Sequence, residues 1–474
     1  MEIKQDVIII GSGPNGLAAG IYLARKGLSV TIIEAGKTVG GGMRTEELTL
    51  PGFKHDVCSA IHNMGFMSPY FNELQLNNYG LEWVFPEASV AHPLENNTVA
   101  LYQSLEKTAE QFGSDAKSYQ RLMSQFANRE DDLFEDALKP LGIPKNPILL
   151  AKFGIRGLQP ASFFAKHKFK NDEAKALFAG CAAHSILPFN KFFTTAVGMM
   201  FLISGHKKTW PLAKGGSESI ANALLKCFEE AGGKIELSTK INQWSDLPNA
   251  KAYLFDTDPQ QLIHIAKDHL PENYKKRLNN YTYGPGVFKI DYALSEAIPW
   301  KDKKCIEAGT IHLGGTIEEI AQSEQDAWSG KHSDKPYVLL AQQSLFDDTR
   351  APKGKHTCWA YCHVPFGSEK DMSSIIENQI EHYAPGFKDI ILAKSSMNTK
   401  DFYNYNSNYL GGVIAGGSAD ITQLFTRPIV KLDPYSTPNP QIFICSASTP
   451  PGGGVHGMGG YYAAKSVFKK LNKS

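Results

Sequence analysis

The first 34 residues constrain this chain most. Asp6-Val7-Ile8-Ile9-Ile10 is a short apolar run, read as a buried strand, and it ends in Gly11-Ser12-Gly13-Pro14-Asn15-Gly16. That loop fits G-x-G-x-x-G. Gly11 permits the tight turn out of the strand, Gly13 lets backbone approach a pyrophosphate, and Gly16 lets helix and strand pack closely. The pattern predicts a helix from about Pro14 to Lys26 and a second buried strand from Leu28 to Ile33. The helix start offers unpaired N–H groups and a positive dipole end to phosphates. Glu34 ends the second strand, 18 residues after Gly16, and Ala35 follows. There a carboxylate accepts from ribose hydroxyls and repels a 2′-phosphate. A glycine turn beside a surface glutamate is the bland alternative, and it leaves the strand, helix and acid in sequence unexplained.

This loop alone does not choose between NAD and FAD, but two further glycine runs favour FAD. Val39-Gly40-Gly41-Gly42-Met43-Arg44-Thr45 follows directly, where a simple dehydrogenase continues as helix. Gly41, Gly42 and Met43 bring a second backbone stretch to the cofactor, and Arg44 is placed to pair with its pyrophosphate. Near the other end, Pro450 to Gly460 lies between a strand-like run, Gln441–Ser446, and a helical pattern from Tyr461. Gly454, Val455, His456, Gly457 and Met458 would then bring a helix start to a flavin ring, where the dipole stabilises negative charge on reduction.

At about 150 residues per domain, 474 residues suggest roughly three domain-equivalents. Apolar residues at 42% and charged residues at 20% are ordinary globular usage. The fold class expected is α/β (α+β overall). A Rossmann-like FAD-binding domain is assembled from residues 1–75, 211–284 and 412–474. A substrate or cap domain of antiparallel sheet and helices, residues 76–210 and 285–411, is threaded between them. Within the insert, 90–210 reads as helical, with breaks at Pro140, Pro144, Pro147 and Pro160, and Val287–Leu294 and Tyr337–Ala341 read as strands.

Charge is balanced: 49 basic and 48 acidic residues give 49 − 48 = +1, which argues against nucleic acid as the partner. No apolar run reaches the ~18 residues of a membrane span. The short apolar start runs straight into the glycine loop, unlike a signal peptide, so a cytoplasmic location is expected, with peripheral membrane contact left open. Seven scattered cysteines do not form a disulfide framework. Cys358-Trp-Ala-Tyr-Cys362-His363 superficially resembles a haem or redox motif, yet its alternation is that of a half-buried strand. No metal site is expected.

The glycine runs, with PLAKGGSESIANALL and CSASTPPGGGVHGMGGYYAA, resemble the FAD-dependent phytoene desaturase and carotenoid isomerase group of the amine-oxidase-like flavoprotein superfamily. The middle of the chain most resembles the branch called pyridine nucleotide-disulfide oxidoreductase domain-containing protein 2. The resemblance implies non-covalent FAD. It also implies a backbone contact to adenine at Ile241, in a stretch to Asp258 that looks shortened for the family. Arg44 matches the second arginine of the family's GGR-x-R-T, while Gly42 stands at the first. Asp56 matches the F-D-x-G aspartate, while Cys58 replaces its glycine. These departures lie where the flavin ring is expected and count against a true carotenoid desaturase.

The cofactor carries most of such chemistry, so no catalytic dyad is required and the catalytic residues stay unassigned. His55, His62 and His456 are candidate proton acceptors, each with a structural role as the favoured alternative. Cys58 is a candidate for covalent flavin attachment, an outcome the reading disfavours. Phe163-Phe164, Phe192-Phe193 and Met199–Ile203 suggest an apolar pocket or a membrane-facing mouth, and Lys152–Lys170 mixes basic and aromatic residues as interfacial segments do. A plain helical core is the alternative for these segments. The leading expectation is FAD-dependent dehydrogenation of an apolar, isoprenoid or polyene small molecule by hydride transfer to flavin N5. Redox-neutral isomerisation or saturation, amine oxidation, and a non-enzymatic flavin-bound interaction protein are the alternatives.

Overall fold

Val7 to Ile10 are buried because their strand, Gln5–Ile10, lies in the middle of a five-stranded parallel sheet. The computed structural model describes residues 5–472. Across the sheet the order is Ile442–Ile444, Ala250–Phe255, Gln5–Ile10, Val30–Ile33 and Lys234–Glu236. Strands from three distant segments thus meet in one sheet. A central parallel strand is covered on both faces, which explains its unbroken apolar run. Val7 and Ile9 face helices Pro14–Arg25, Glu218–Glu230 and Met458–Leu471. Ile8 and Ile10 face helices Pro259–Ala266 and Glu272–Asn279.

A second sheet has seven strands, in the order Ile391–Met397, Gly286–Leu294, His356–Val364, Val338–Ala341, Ala308–Leu313, Ala88–Pro93 and Thr98–Tyr102. It is antiparallel except where Ala308–Leu313 pairs parallel with Ala88–Pro93, a strand arriving from an earlier chain segment. The expected antiparallel sheet is therefore mixed at this one junction. In His356–Val364, Cys358, Ala360 and Cys362 enter one core and Trp359 and Tyr361 the other. The alternation is that of a strand, but both faces are buried rather than one. All seven cysteines are free.

The larger core is continuous from the helix layer of the first sheet to one face of the second. Helices Pro147–Gly157, Asp172–Ala183 and Thr194–Lys207 close its side. Between Ile241 and Asp258 the chain makes a short 3-10 turn at Trp244–Asp246 and one strand, Ala250–Phe255.

Candidate functional site: a cofactor cradle opening into an apolar chamber

The glycine loop is tightly constrained. Gly11 has φ +100°, and a Cβ there would lie 3.0 Å from the Asp256 carbonyl oxygen. A Cβ on Gly16 would sit 2.1 Å from the Gly11 carbonyl oxygen, so the helix could not start so close to its strand with any other residue. Gly13 caps helix Pro14–Arg25 without a side-chain bond, and Pro14 takes the first helical position, where its missing N–H costs nothing. A Cβ on Gly41 would come 3.1 Å from Gly13 Cα, so the first two glycine runs lie against each other. Asn15 Oδ1 accepts from Gly460 N at 3.2 Å, tying the first helix to the last.

Glu34 closes this corner. Its Oε2 accepts from Ser12 N (2.9 Å) and Ser12 Oγ (2.6 Å), and its Oε1 from Gly36 N (2.6 Å) and Arg44 Nη2 (3.1 Å). Both carboxylate oxygens are engaged by the protein. Arg44 also donates to the Thr38 carbonyl and lies 5.6 Å from the Tyr405 ring. It therefore braces the second glycine run against Glu34, where the sequence alone suggested a pyrophosphate partner.

A cavity of about 990 Å³ runs from this corner between the two sheets. Gly11, Ser12, Gly13, Pro14, Asn15, Glu34, Ala35, Gly41, Gly42 and Arg44 line one end. Ile241 lies on the same wall, and Gly454, Val455 and His456 line the middle. Gly16, Met43, Gly457 and Met458 do not reach the wall; they support it from behind. The far end is apolar, with Phe153, Leu158, Phe193, Met200, Phe201 and Trp359 on its lining. Phe164, Met199, Leu202 and Ile203 belong to the core, and Phe163 and Phe192 are exposed, so the aromatic segments divide among cavity wall, core and surface.

Gly42 and Cys58, far apart in sequence, meet in the cavity wall. A Cβ on Gly42 would be 3.8 Å from Cys58 Sγ and 2.6 Å from the Tyr409 hydroxyl. Tyr409 thus fills the space that an arginine at position 42 would need. Burial pushes the Cys58 thiol up, which disfavours the thiolate needed for attachment chemistry. His62 lines the cavity and is held down to about 4 by burial; its Nε2 meets Ser217 Oγ at 2.8 Å and its Nδ1 has no partner among the described residues. His456, also lowered to about 4 by burial, accepts the Met458 N–H at Nδ1 and so caps the last helix. His55, lowered to about 3 by burial, bonds Thr49 and does not line the cavity.

Several groups escaped the sequence reading. Asp256, at the end of the central strand, takes the Gly16 N–H at 2.9 Å, and burial pushes its carboxyl up to about 7. Arg427 lines the cavity fully buried, donating to the Ala447 and Ser418 carbonyls. Behind the wall, Asp56 pairs with Arg350 and accepts from Ser217 N (2.8 Å) and Thr45 Oγ1 (2.9 Å). Lys289 pairs with Asp291 beside it. Two charges two residues apart inside the apolar run Val287–Leu294 were the signal available for that pair. Arg350 and Arg427 left no comparable local pattern.

The NAD(P)-binding Rossmann-like domain family matches residues 9–74. The rat pyridine nucleotide-disulfide oxidoreductase domain-containing protein 2 is 24% identical, over 99% of this chain and 94% of its own length. A limonene dehydrogenase component from Castellaniella defragrans is 23% identical, over 99% of this chain and 96% of its own length. A 4,4'-diapophytoene desaturase from a Methylomonas species is 24% identical, over 77% of this chain and 74% of its own length. Putrescine oxidase bound to putrescine shares the fold with a TM-score of 0.63 at 15% identity, covering 99% of each chain. Domain match, full-length relatives and shared fold support the amine-oxidase-like flavoprotein superfamily, with FAD as the cofactor.

Proposed function

We propose that the protein dehydrogenates an apolar, isoprenoid-like substrate. The observation that carries this reading is the single cavity that joins the cofactor corner to an aromatic chamber. Its volume is at the upper end for small-molecule sites, as needed for a dinucleotide and a second ligand. Bound FAD supplies the two-electron acceptor for hydride removed from a C–H bond. The two glycine runs, the helix start at Gly13 and the Gly454–His456 stretch would hold it. The apolar chamber excludes water and orients the substrate. His62 lines the wall in its neutral form, with its Nε2 held by Ser217 and its Nδ1 buried away from the chamber.

A membrane-facing mouth is part of the same proposal. Leu141 and Leu158 line the cavity and are exposed, and beside them Ile143, Ile148 and Ile155 are at least 70% exposed. Lys145 and Lys152 are exposed among them and Arg156 is partly so. Apolar tips mixed with basic side chains suit a lipid interface. No helix among the described residues is long and apolar enough to cross a membrane.

The test is anaerobic incubation of FAD-loaded protein with isoprenoid extracts, followed by product mass. Bleaching of the flavin with loss of two hydrogens from a product supports dehydrogenation. Unchanged product mass would mean isomerisation, a gain of hydrogen saturation, and ammonia with peroxide in air amine oxidation.

A further inference from the structure

The chamber wall made by the second sheet is not uniformly apolar. His184, at the end of helix Asp172–Ala183, lines the cavity with its ring stacked on Phe201 at 4.0 Å between centroids. Its protein hydrogen bond is made through Nε2, 3.1 Å from Nε2 of His312. Tyr361 also lines the cavity; it is 7% exposed, and its hydroxyl finds no hydrogen-bond partner among the described residues. Rings connect the two: Tyr361 lies 5.6 Å from His363, His363 6.0 Å from Tyr337, Tyr337 5.4 Å from His312, and His312 5.1 Å from His184.

Hydrogen-bond accounting fixes which proton His184 shows the chamber. One of the two facing Nε2 atoms must donate. The Nδ1 of His312 is buried without a partner among the described residues. If His184 donated, neutral His312 would carry its proton on that Nδ1 as an orphan N–H. If His312 donates, only a lone pair is orphaned, which is the less costly arrangement. Neighbouring His92 shows the same pattern: its Nε2 donates to the Gly315 carbonyl at 2.7 Å and its buried Nδ1 is left as a lone pair. His184 then carries its own proton on Nδ1. Burial keeps both rings neutral, His184 at about 3 and His312 well below the ordinary value.

We propose that this wall anchors an oxygen of the substrate: His184 Nδ1–H donates to the carbonyl or hydroxyl of an otherwise apolar molecule, and the Tyr361 hydroxyl is a second donor farther along the same wall. The inference rests on the apolar-substrate reading and narrows it from hydrocarbons to oxygenated isoprenoids. A bare hydrocarbon would strip water from both donors and return nothing, and sites built around a ligand hydrogen bond reject analogues lacking it strongly.

The experiment compares farnesal, farnesol and β-farnesene, one skeleton with and without oxygen, on the FAD-loaded protein. Binding is read by quenching of Trp210 and Trp359, which line the cavity and report whether or not flavin is present. Farnesal or farnesol should bind at least about tenfold more tightly than β-farnesene. His184→Phe and Tyr361→Phe, which keep the rings, should each shrink that ratio, by weakening the oxygenated ligands and tightening β-farnesene, which no longer desolvates a donor. Equal affinity for all three, no binding by any, or an unchanged ratio in both variants would overturn the anchor. So would loss of FAD from the variants with the ligand ranking intact, because the donors would then serve the cofactor. Protein that binds no FAD would sink the oxidoreductase reading separately, while the ligand ranking would still decide the anchor.

Discussion

At the residue scale, Asp256 is the group whose state most affects the cofactor corner. It sits under the glycine loop, where burial first, and then the Glu34 charge, raise its carboxyl to about 7 against gains from backbone N–H groups. A raised folded value means the native state holds the proton more tightly than the unfolded chain. That stability is complete below the unfolded value and is lost as pH rises through about 7. Melting temperature should therefore fall as pH rises from about 4 to about 7 and level off above that, and Asp256→Asn should flatten the fall. Asp258 and Asp291, raised by burial to about 6, act in the same direction earlier in the titration. Gly16→Ala is the steric counterpart. Its Cβ meets backbone rather than a flexible side chain, overpacking costs about 1–3 kcal/mol, and bound FAD should weaken by about tenfold or more; flavin content after gel filtration measures it. The loop's glycines were legible because a pyrophosphate cradle has a fixed local pattern. Glu34 was legible as an acid in place, but its four protein donors were not, because the two on Ser12 come from across the sheet and the one on Arg44 depends on how the second glycine run folds back.

At the element scale, the first and last helices are locked by Gly460, whose Cβ would lie 1.8 Å from the Asn15 carbonyl oxygen. Gly460→Ala should separate them and destabilise the fold by about 1–3 kcal/mol, readable as a lower urea midpoint. The expected helix from Pro14 to Lys26 is found at Pro14–Arg25, and the expected strand Val287–Leu294 at Gly286–Leu294. Such elements carry strong periodicity. Ala250–Phe255, a strand central to the first sheet, was not read, because its short AKAYLF run has no turn signal as clear as a glycine loop before it. Strand order in the second sheet, with its one parallel pair, is a matter of long-range pairing that no local pattern encodes.

At the scale of the whole molecule, the buried Asp56–Arg350 pair links the Thr45–Glu46/His55–Asp56 hairpin to the 3-10 turn Asp348–Arg350. Removing one partner strands the other charge, so Arg350→Met should cost about 3–5 kcal/mol, and adding Asp56→Asn should recover part of it; a double-mutant cycle in urea checks both. The mouth makes a different prediction. The protein should float with vesicles containing phosphatidylglycerol, and Ile143→Asp with Ile148→Asp should abolish flotation while leaving flavin content unchanged. Flotation that is unaffected by these changes would remove the lipid-facing mouth.

The central claim is tested most directly by the visible absorption spectrum of the purified protein, taken before and after denaturation and removal of the pellet. A two-banded flavin spectrum that passes entirely into the supernatant, as FAD, is the predicted result. Protein that is colourless and takes up no added FAD would contradict the claim, and flavin retained in the pellet would contradict its non-covalent form and turn attention to Cys58.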